Sequence, residues 1–415
     1  MSALLFKRAA AAAGLVLALA MSSIQANSGE AVRAEVGRPL LLAQELLKAQ
    51  KFAEALARIA EAEAVTNKTP YERFTIDRMR GTAAASAGDW SLALRSFDAV
   101  IASGLLSAPE QLKMLQAMAA AAYRAKDYAR SAALAERYTK EGGSDHATRQ
   151  LLIQSLYLNQ AYAEAARELK ASLRDDEKAG RTPTEEQLQL LANCHARQND
   201  AAGYLDVLEK LVTHHPKKDY WADLLRRLPQ RPGFASRLAF DVYRLQLATG
   251  TLTSMADHLE MAQLALQESS PVEARKVIER GFTSGVLGSG PDAERHKRLR
   301  ELATKSVAEE QRSLVNSEAE ASAAASAATG MPLFNLGWAL LQQGQADKGI
   351  ALMELGLQKG GLKRSEEARL HLGLALISTG HKAKAVPVLK AVQGNDGSAD
   401  LARLWLALAA KNNES

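Results

Sequence analysis

The sequence predicts an all-α fold, specifically a solenoid of stacked helix–turn–helix repeats. Two glycines, Gly337 and Gly344, are repeated 36 residues later as Gly373 and Gly380. The 415-residue chain is 47% hydrophobic but only 5% aromatic and has 11 prolines, a composition that favours helices over strands. A repeat of this length cannot bury its apolar face alone, so we expect similar repeats to stack along the rest of the chain.

The first 26 residues are typical of a secretory signal peptide. Lys7 and Arg8 precede an apolar stretch at residues 9–20, and small residues continue from there to Ala26. This stretch is shorter than the span of about 20 residues that crosses a membrane comfortably. We therefore predict cleavage after Ala26, with a retained anchor as the alternative.

Charge and cysteine content place further limits on function. The net charge is +5, and removal of Lys7 and Arg8 with the signal leaves +3. This mild excess gives little reason to expect a nucleic-acid partner. Cys194 is the only cysteine, so the chain cannot form an intramolecular disulfide and must depend on packing for stability.

The clearest repeat motif spans residues 81–97. Its residues are Gly81, Gly88, Asp89, Trp90, Ala93 and Phe97. A turn of a similar kind precedes it near Lys51, and others follow near Lys126, Ala161 and Asn199. These motifs resemble the tetratricopeptide repeat, a helical hairpin of about 34 residues. The resemblance implies small residues where helices approach and an aromatic residue between hairpins. It also implies an exported bacterial protein of the periplasm that serves as a binding scaffold.

The repeats are predicted to fall into consecutive regions. After the signal peptide at 1–26 come N-terminal repeats at 27–216, weaker helical repeats at 217–290, a bridging helical segment at 291–330, and a C-terminal repeat pair with a capping helix at 331–415. The bridge contains an Ala- and Ser-rich run that could be a helix or a flexible joint. Helix is favoured because alanine is the best helix former.

No residue set predicts catalysis, a cofactor or a metal ion. Cys194 and His195 are adjacent, but neighbouring helical residues point about 100° apart, and a structural pair is the preferred interpretation over a thiol nucleophile. His214 and His215 lack the further ligands that a metal site needs. Gly356 and Gly361 have phosphate-loop spacing without the required lysine. We expect a protein that is not an enzyme.

The first helix of each repeat offers a candidate binding surface. Positions three or four residues apart share one helical face, and the family resemblance places that face on the concave side. The candidate positions are Arg78, Lys113, Gln116, Tyr123, Arg124, Gln150, Gln154, Tyr157, Gln189, Asn193 and Arg197. We call them the first-helix face. Amides, tyrosines and cations suit an extended peptide backbone, a carboxylate or sugar hydroxyls. A merely solvated surface is the alternative.

The C-terminal repeats carry an apolar patch in the same register. Its residues are Phe334, Trp338, Leu341, Leu370, Leu374 and Ile377. Apolar patches of this size are seldom left bare. Either a partner helix docks there, or the bridging segment at 291–330 folds into the patch. We favour the bridging segment because a tethered segment needs little association entropy.

The sequence therefore predicts a non-catalytic periplasmic adaptor that binds a protein or peptide of the cell envelope through the first-helix face. The alternative is a binder of envelope polysaccharide through the same residues. No nucleic acid and no membrane-spanning segment after signal removal are expected.

Overall fold

The computed structural model describes residues 31–411, apart from the side chains of Ser317, Glu318 and Lys411. The predicted signal peptide at 1–26 lies outside these residues. Within residues 31–411 the chain forms 21 α-helices, three short 3₁₀ helices and no strand. This confirms the predicted all-α class. The chain divides into two compact units, the first ending at Asp200 and the second beginning at Ala201.

The first unit contains nine helices in its described part. They are α1 Ala34–Lys48, α2 Phe52–Glu63, α3 Pro70–Ala87, α4 Trp90–Ala102, α5 Ala108–Arg124, α6 Tyr128–Lys140, α7 His146–Leu158, α8 Tyr162–Lys178 and α9 Glu185–Arg197. Each helix from α1 to α8 packs against the next one, and first helices of successive hairpins also meet, as α1 does α3 and α5 does α7.

The second unit contains twelve helices in its described part. They are α10 Ala201–His214, α11 Lys218–Arg227, α12 Ala239–Thr249, α13 Met255–Gln267, α14 Pro271–Thr283, α15 Ala293–Ser313, α16 Ser317–Ser326, α17 Met331–Gln342, α18 Ala346–Lys359, α19 Ser365–Ser378, α20 Lys382–Lys390 and α21 Ser398–Lys411. The Ala- and Ser-rich run forms α16, as predicted. The 3₁₀ helices are Leu228–Gln230, Ser236–Leu238 and Leu314–Asn316.

Eight hairpins of the described chain share one turn geometry. In each, the residue two positions before the second helix has a positive φ, between 52° and 86°. These residues are Gln50, Gly88, Lys126, Gln160, Asn199, Ser269, Gly344 and Gly380. Only three are glycines, although the left-handed region costs other residues about 1–2 kcal/mol. The recurring turn confirms that the described chain is built of helix–turn–helix repeats.

The helices of each hairpin approach closely where one carries a small residue. A Cβ atom on Gly81 of α3 would overlap the Phe97 ring of α4. Phe97 therefore packs directly on the backbone of α3, as the sequence motif implied. Further along, Ser155 donates a hydrogen bond to Ser131 (2.8 Å), and Ser131 donates to the Ala119 carbonyl (2.9 Å). This chain of buried hydroxyl groups joins α7, α6 and α5.

A buried carboxylate fixes the start of α3. Glu72 is fully buried and forms a capping box with Thr69. Arg33 donates to Glu72 from its backbone N–H (3.0 Å), from Nε (2.9 Å) and from Nη2 (2.8 Å). The Arg33 hydrogen bonds outweigh the effect of burial and lower the pKa of Glu72 from 4.5 to about 2.

This carboxylate makes the first unit sensitive to acid. Because the pKa of Glu72 is lower in the folded state, its stabilising effect is fully present above about pH 4.5 and is lost as the pH falls towards about 2. We expect Glu72→Gln to lower the urea midpoint at neutral pH and to reduce its further fall in acid. Measuring urea midpoints from about pH 7 to about pH 2 checks this, with the exposed Glu54→Gln as control. An unchanged acid profile in Glu72→Gln would contradict it.

The last helix of the second unit is enclosed by other helices. α21 packs on α10, α12, α19 and α20. Arg403 of α21 donates to Glu209 of α10 from Nε (2.6 Å) and Nη2 (3.1 Å). Arg231 likewise pairs with Asp400 of α21 (2.6 Å). Within the second unit, contacts between residues far apart in sequence therefore join its first and last helices.

Candidate binding face

The first-helix face lies on the helices that the sequence predicted. Its residues belong to α3, α5, α7 and α9, the first helices of four consecutive hairpins. Lys113, Asn193 and Arg197 are exposed, and the other eight side chains are partly buried. The face therefore presents polar groups supported by a packed scaffold.

Two of these residues link successive first helices. Arg78 of α3 lies 3.8 Å from Glu110 of α5. Gln116 of α5 donates to the Thr148 hydroxyl of α7 (2.8 Å). These contacts fix the spacing between α3, α5 and α7, so Arg78 and Gln116 have a structural role as well as a place on the face.

The two tyrosines of the face have the same arrangement in consecutive hairpins. Tyr123 meets Tyr128 edge-on at 5.5 Å, and Tyr157 meets Tyr162 at 5.4 Å. Burial, with a smaller contribution from Tyr128, raises the pKa of Tyr123 above its ordinary value. Both hydroxyls are on side chains held at a hairpin turn, where the ring partner limits their motion.

Three of the four cations of the face are not paired with an acid of the described chain. Within the described residues, Lys113, Arg124 and Arg197 form no salt bridge. Arg124 lies over the Trp90 ring at 5.2 Å, a contact that holds the guanidinium without neutralising it. Three cations beside amide side chains can attract carboxylates and pair with backbone amides.

The predicted apolar docking patch is largely enclosed. Phe334, Leu370 and Leu374 are buried, and the other three residues, Trp338, Leu341 and Ile377, are partly buried. The neighbours of Trp338 are its hydrogen-bond partner Ser270 (3.2 Å), His371 at 5.3 Å between ring centroids, and Arg244. None of these neighbours lies in the bridging segment at 291–330.

The bridging segment contacts the C-terminal repeats elsewhere. α16 packs on α17, and Gln343 donates to Glu310 of α15 (2.5 Å). Burial raises the pKa of Glu310. The segment therefore lies against the ends of α17, while Trp338 faces α12 and α19.

A buried ionic cluster surrounds Trp338, and sequence reasoning missed it. Arg244 of α12 donates to Asp241 (2.7 Å) and, from two nitrogens, to Glu273 of α14 (3.0 and 2.7 Å). His371 of α19 completes the group, with its Nε2 atom 2.9 Å from Asp241 and 3.2 Å from Nη1 of Arg244. We call Asp241, Arg244, Glu273 and His371 the Arg244 cluster.

Attraction dominates the electrostatics of this cluster. Burial alone would raise the pKa of Asp241, but His371 and Arg244 hold it below its usual range. Burial would lower the pKa of Arg244, but Glu273 and Asp241 raise it. The Arg244 guanidinium also stacks on Phe240 at 3.8 Å. The guanidinium already donates to Asp241 and Glu273 from all three of its nitrogens, which leaves few N–H groups for an outside ligand.

The Cys194 environment opposes thiol chemistry. Cys194 is fully buried, and burial raises the pKa of its thiol from 9.0 to about 11. An activated cysteine has the opposite shift. The adjacent His195 is buried too and pairs with Asp200 through Nδ1 (2.7 Å).

The thiol should consequently be inert in the folded chain. At neutral pH this pKa reduces the thiolate fraction about a hundredfold relative to an ordinary thiol. We expect an aromatic disulfide reagent to label native Cys194 at least about a hundredfold more slowly than the urea-unfolded chain. An exposed Leu105→Cys variant should gain a second, rapidly labelled thiol. Rapid native labelling of Cys194 would contradict its burial.

The remaining features of the described residues concern metal ligation, membrane spans and a groove along α15. No three His, Cys, Asp or Glu side chains converge as metal ligands there, and none of the described helices is long and apolar enough to span a membrane. A groove of about 640 Å³ lies along α15 beside Phe282. The basic residues there are partly neutralised, since Arg300 binds Glu279 through two bonds (2.7 and 2.6 Å).

The comparisons with known proteins give similar solved structures at low identity. No protein-family model and no curated protein matches the chain. Similar solved structures include a tetratricopeptide repeat protein from Parabacteroides merdae, with 12% identity, a TM-score of 0.32, and coverage of 66% of this chain and 100% of that one. The TPR2AB domain of yeast Sti1, solved as a pHSP90 complex, is 13% identical with a TM-score of 0.35 and coverage of 65% and 98%.

Yeast Tom70 covers more of the chain. The similarity spans 91% of this chain and 96% of Tom70, at 10% identity and a TM-score of 0.24. At these identities and scores the resemblances add nothing about ligands. The repeat fold rests on the hairpins themselves.

Proposed function

We propose that this chain is an exported, non-catalytic scaffold that binds an extended segment of a protein partner along the first-helix face. The main observation behind this proposal is that three cations, Lys113, Arg124 and Arg197, form no salt bridge in the described chain. They lie on the first helices α5 and α9, and amide side chains of the face lie on α5, α7 and α9. Amide side chains both donate and accept, as a peptide backbone requires. The cations would draw in carboxylates of the partner.

The periplasm is the proposed compartment, and a component of the cell envelope is the proposed partner. This location rests on the signal-like residues 1–26. The non-catalytic role is supported by the unreactive surroundings of Cys194.

Capture from envelope extract with two matched variants tests the proposal. One variant changes Lys113, Arg124 and Arg197 to alanine. The control changes three exposed cations of second helices, Arg95, Arg167 and Lys170, and so removes the same charge. We expect a protein captured by the native chain and by the control to be lost with the first variant, by at least about tenfold.

Three outcomes would count against this function. Equal capture by all three chains would show that the first-helix face does not bind the captured protein. Loss with both variants would indicate general electrostatic attraction to the chain. Capture of polysaccharide in place of protein, abolished by Tyr123→Ala with Tyr157→Ala, would establish the glycan alternative.

A further inference from the structure

A second surface, which exposes apolar side chains, lies on the hairpin α1–α2. The buried side of α1 carries Val36, Leu40 and Ala43, which form a core with α2 and α3. Leu41 and Leu42 point away from that core and are 58% and 53% exposed. They are the only pair of adjacent large hydrophobic residues among the exposed ones of the described chain.

Leu42 borders a shallow groove between α1 and α2. The groove has a volume of about 600 Å³, and its apolar lining is Leu42, Leu46, Ala49 and Ala57. We call Leu41, Leu42 and this lining the α1–α2 end face. Within the described residues no helix packs on it, whereas α3 covers the opposite side of the hairpin.

The charges around the end face cancel. Lys48 pairs with Glu45 (2.9 Å) and Lys51 with Glu54 (3.3 Å). Arg58 pairs with Glu61 in the same i,i+3 manner (2.8 Å). The three rim acids, Glu45, Glu54 and Glu61, are thus each matched by a base on the same hairpin, and these pairs carry no net charge. A lipid headgroup, a nucleic acid or a strongly acidic peptide would find no complementary potential there.

A surface of this kind complements itself. In a twofold contact the same patch meets its own copy, so each residue of one chain faces a residue of the same set. The apolar lining would then meet apolar lining, and the bases at Lys51 and Arg58 can face acids such as Glu54 of the other copy. Both signs are present in equal number, which a self-complementary contact requires.

We propose that the α1–α2 end face is where a second copy of this chain docks, giving a weak, reversible dimer. A hairpin of 15 and 12 residues offers a face of roughly 20 by 20 Å, so two copies would bury about 800 Å² in total. That area is at the lower end for specific interfaces and corresponds to a transient dimer. The partner-binding first-helix face is not needed for this contact.

Sedimentation velocity of the exported chain, from residue 27 onward, tests the proposal over about 1 to about 300 μM, the range expected for so small an interface. We expect the average mass to rise from one copy towards two. Leu41→Glu with Leu42→Glu should weaken the dimer at least about tenfold, because it places like charges opposite each other. The control, Leu105→Glu with Leu355→Glu, changes leucines that are 43% and 45% exposed and should behave as the native chain.

Chemical crosslinking provides a second test that does not depend on added charge. Leu42→Cys should be joined to a second copy by a short bifunctional maleimide, and Leu105→Cys should not. Native Cys194 is buried and should not interfere. A native chain that stays monomeric throughout, equal dimerisation of the glutamate variant, or equal crosslinking at both cysteines would overturn the proposal.

Discussion

Arg244→Met is expected to lower the free energy of unfolding of the second unit by about 3–5 kcal/mol, because it leaves a buried carboxylate without its partner. The Arg244 side chain is only 7% exposed and bridges Asp241 to Glu273. Methionine fills much of the same space but cannot donate a hydrogen bond. Asp241, which is almost fully buried, would then depend on His371 alone.

Fluorescence during urea unfolding measures this effect, since three of the four tryptophans, Trp221, Trp338 and Trp405, lie in the second unit. Arg280→Met removes an exposed arginine and should change stability by less than about 0.5 kcal/mol. Adding Asp241→Leu and Glu273→Leu to Arg244→Met should restore much of the loss, because no charge is then stranded. A loss below about 1 kcal/mol in Arg244→Met alone would show that the Arg244 cluster does not bind the helices together.

Gly349→Ala is expected to destabilise the second unit by about 1–3 kcal/mol, although alanine is the better helix former. A Cβ atom on Gly349 of α18 would lie 2.6 Å from the Gly337 carbonyl oxygen and 2.8 Å from the Leu341 nitrogen of α17. Both are backbone atoms and cannot rotate away. The two helices would have to separate along their contact, which loses packing on both sides.

The matched substitution is Gly37→Ala in α1. There the nearest outside atom to an added Cβ is Val32 Cγ1 at 3.8 Å, an ordinary contact. The same chemical change should therefore stabilise the first unit by about 0.5–1 kcal/mol. Urea unfolding of both variants compares them directly. Equal gains in stability would mean that α17 and α18 are not held at backbone contact.

Local sequence signals were sufficient to predict the helical hairpins. Gly81 and Phe97 marked one close approach, and Gly344 and Gly380 marked two of the shared turns. The turns at Gln160 and Ser269 have the same left-handed geometry without a glycine, so single-residue preference could not locate their conformation. Tertiary packing holds these residues in a conformation that their side chains disfavour.

The Arg244 cluster could not be predicted from local patterns. Asp241 and His371 are 130 positions apart, and no helical period joins residues across that distance. Trp338 was assigned to an apolar patch that the bridging segment or a partner helix would cover, because its helical register was known but its neighbours were not. In the structure, helices far apart in sequence surround it. The first-helix face, in contrast, depends on spacing within single helices, and its placement on α3, α5, α7 and α9 followed from sequence.

Site-specific photocrosslinking in cells would test the binding role of the first-helix face most directly. A photoreactive residue would replace Lys113, which is exposed on the first helix α5, or Arg95, which is exposed on the second helix α4. We expect a discrete crosslinked protein from position 113 and none from position 95. The yield of this product should fall when Arg124→Ala and Arg197→Ala are added. Crosslinking only from position 95, or equally from both, would contradict binding at the first-helix face.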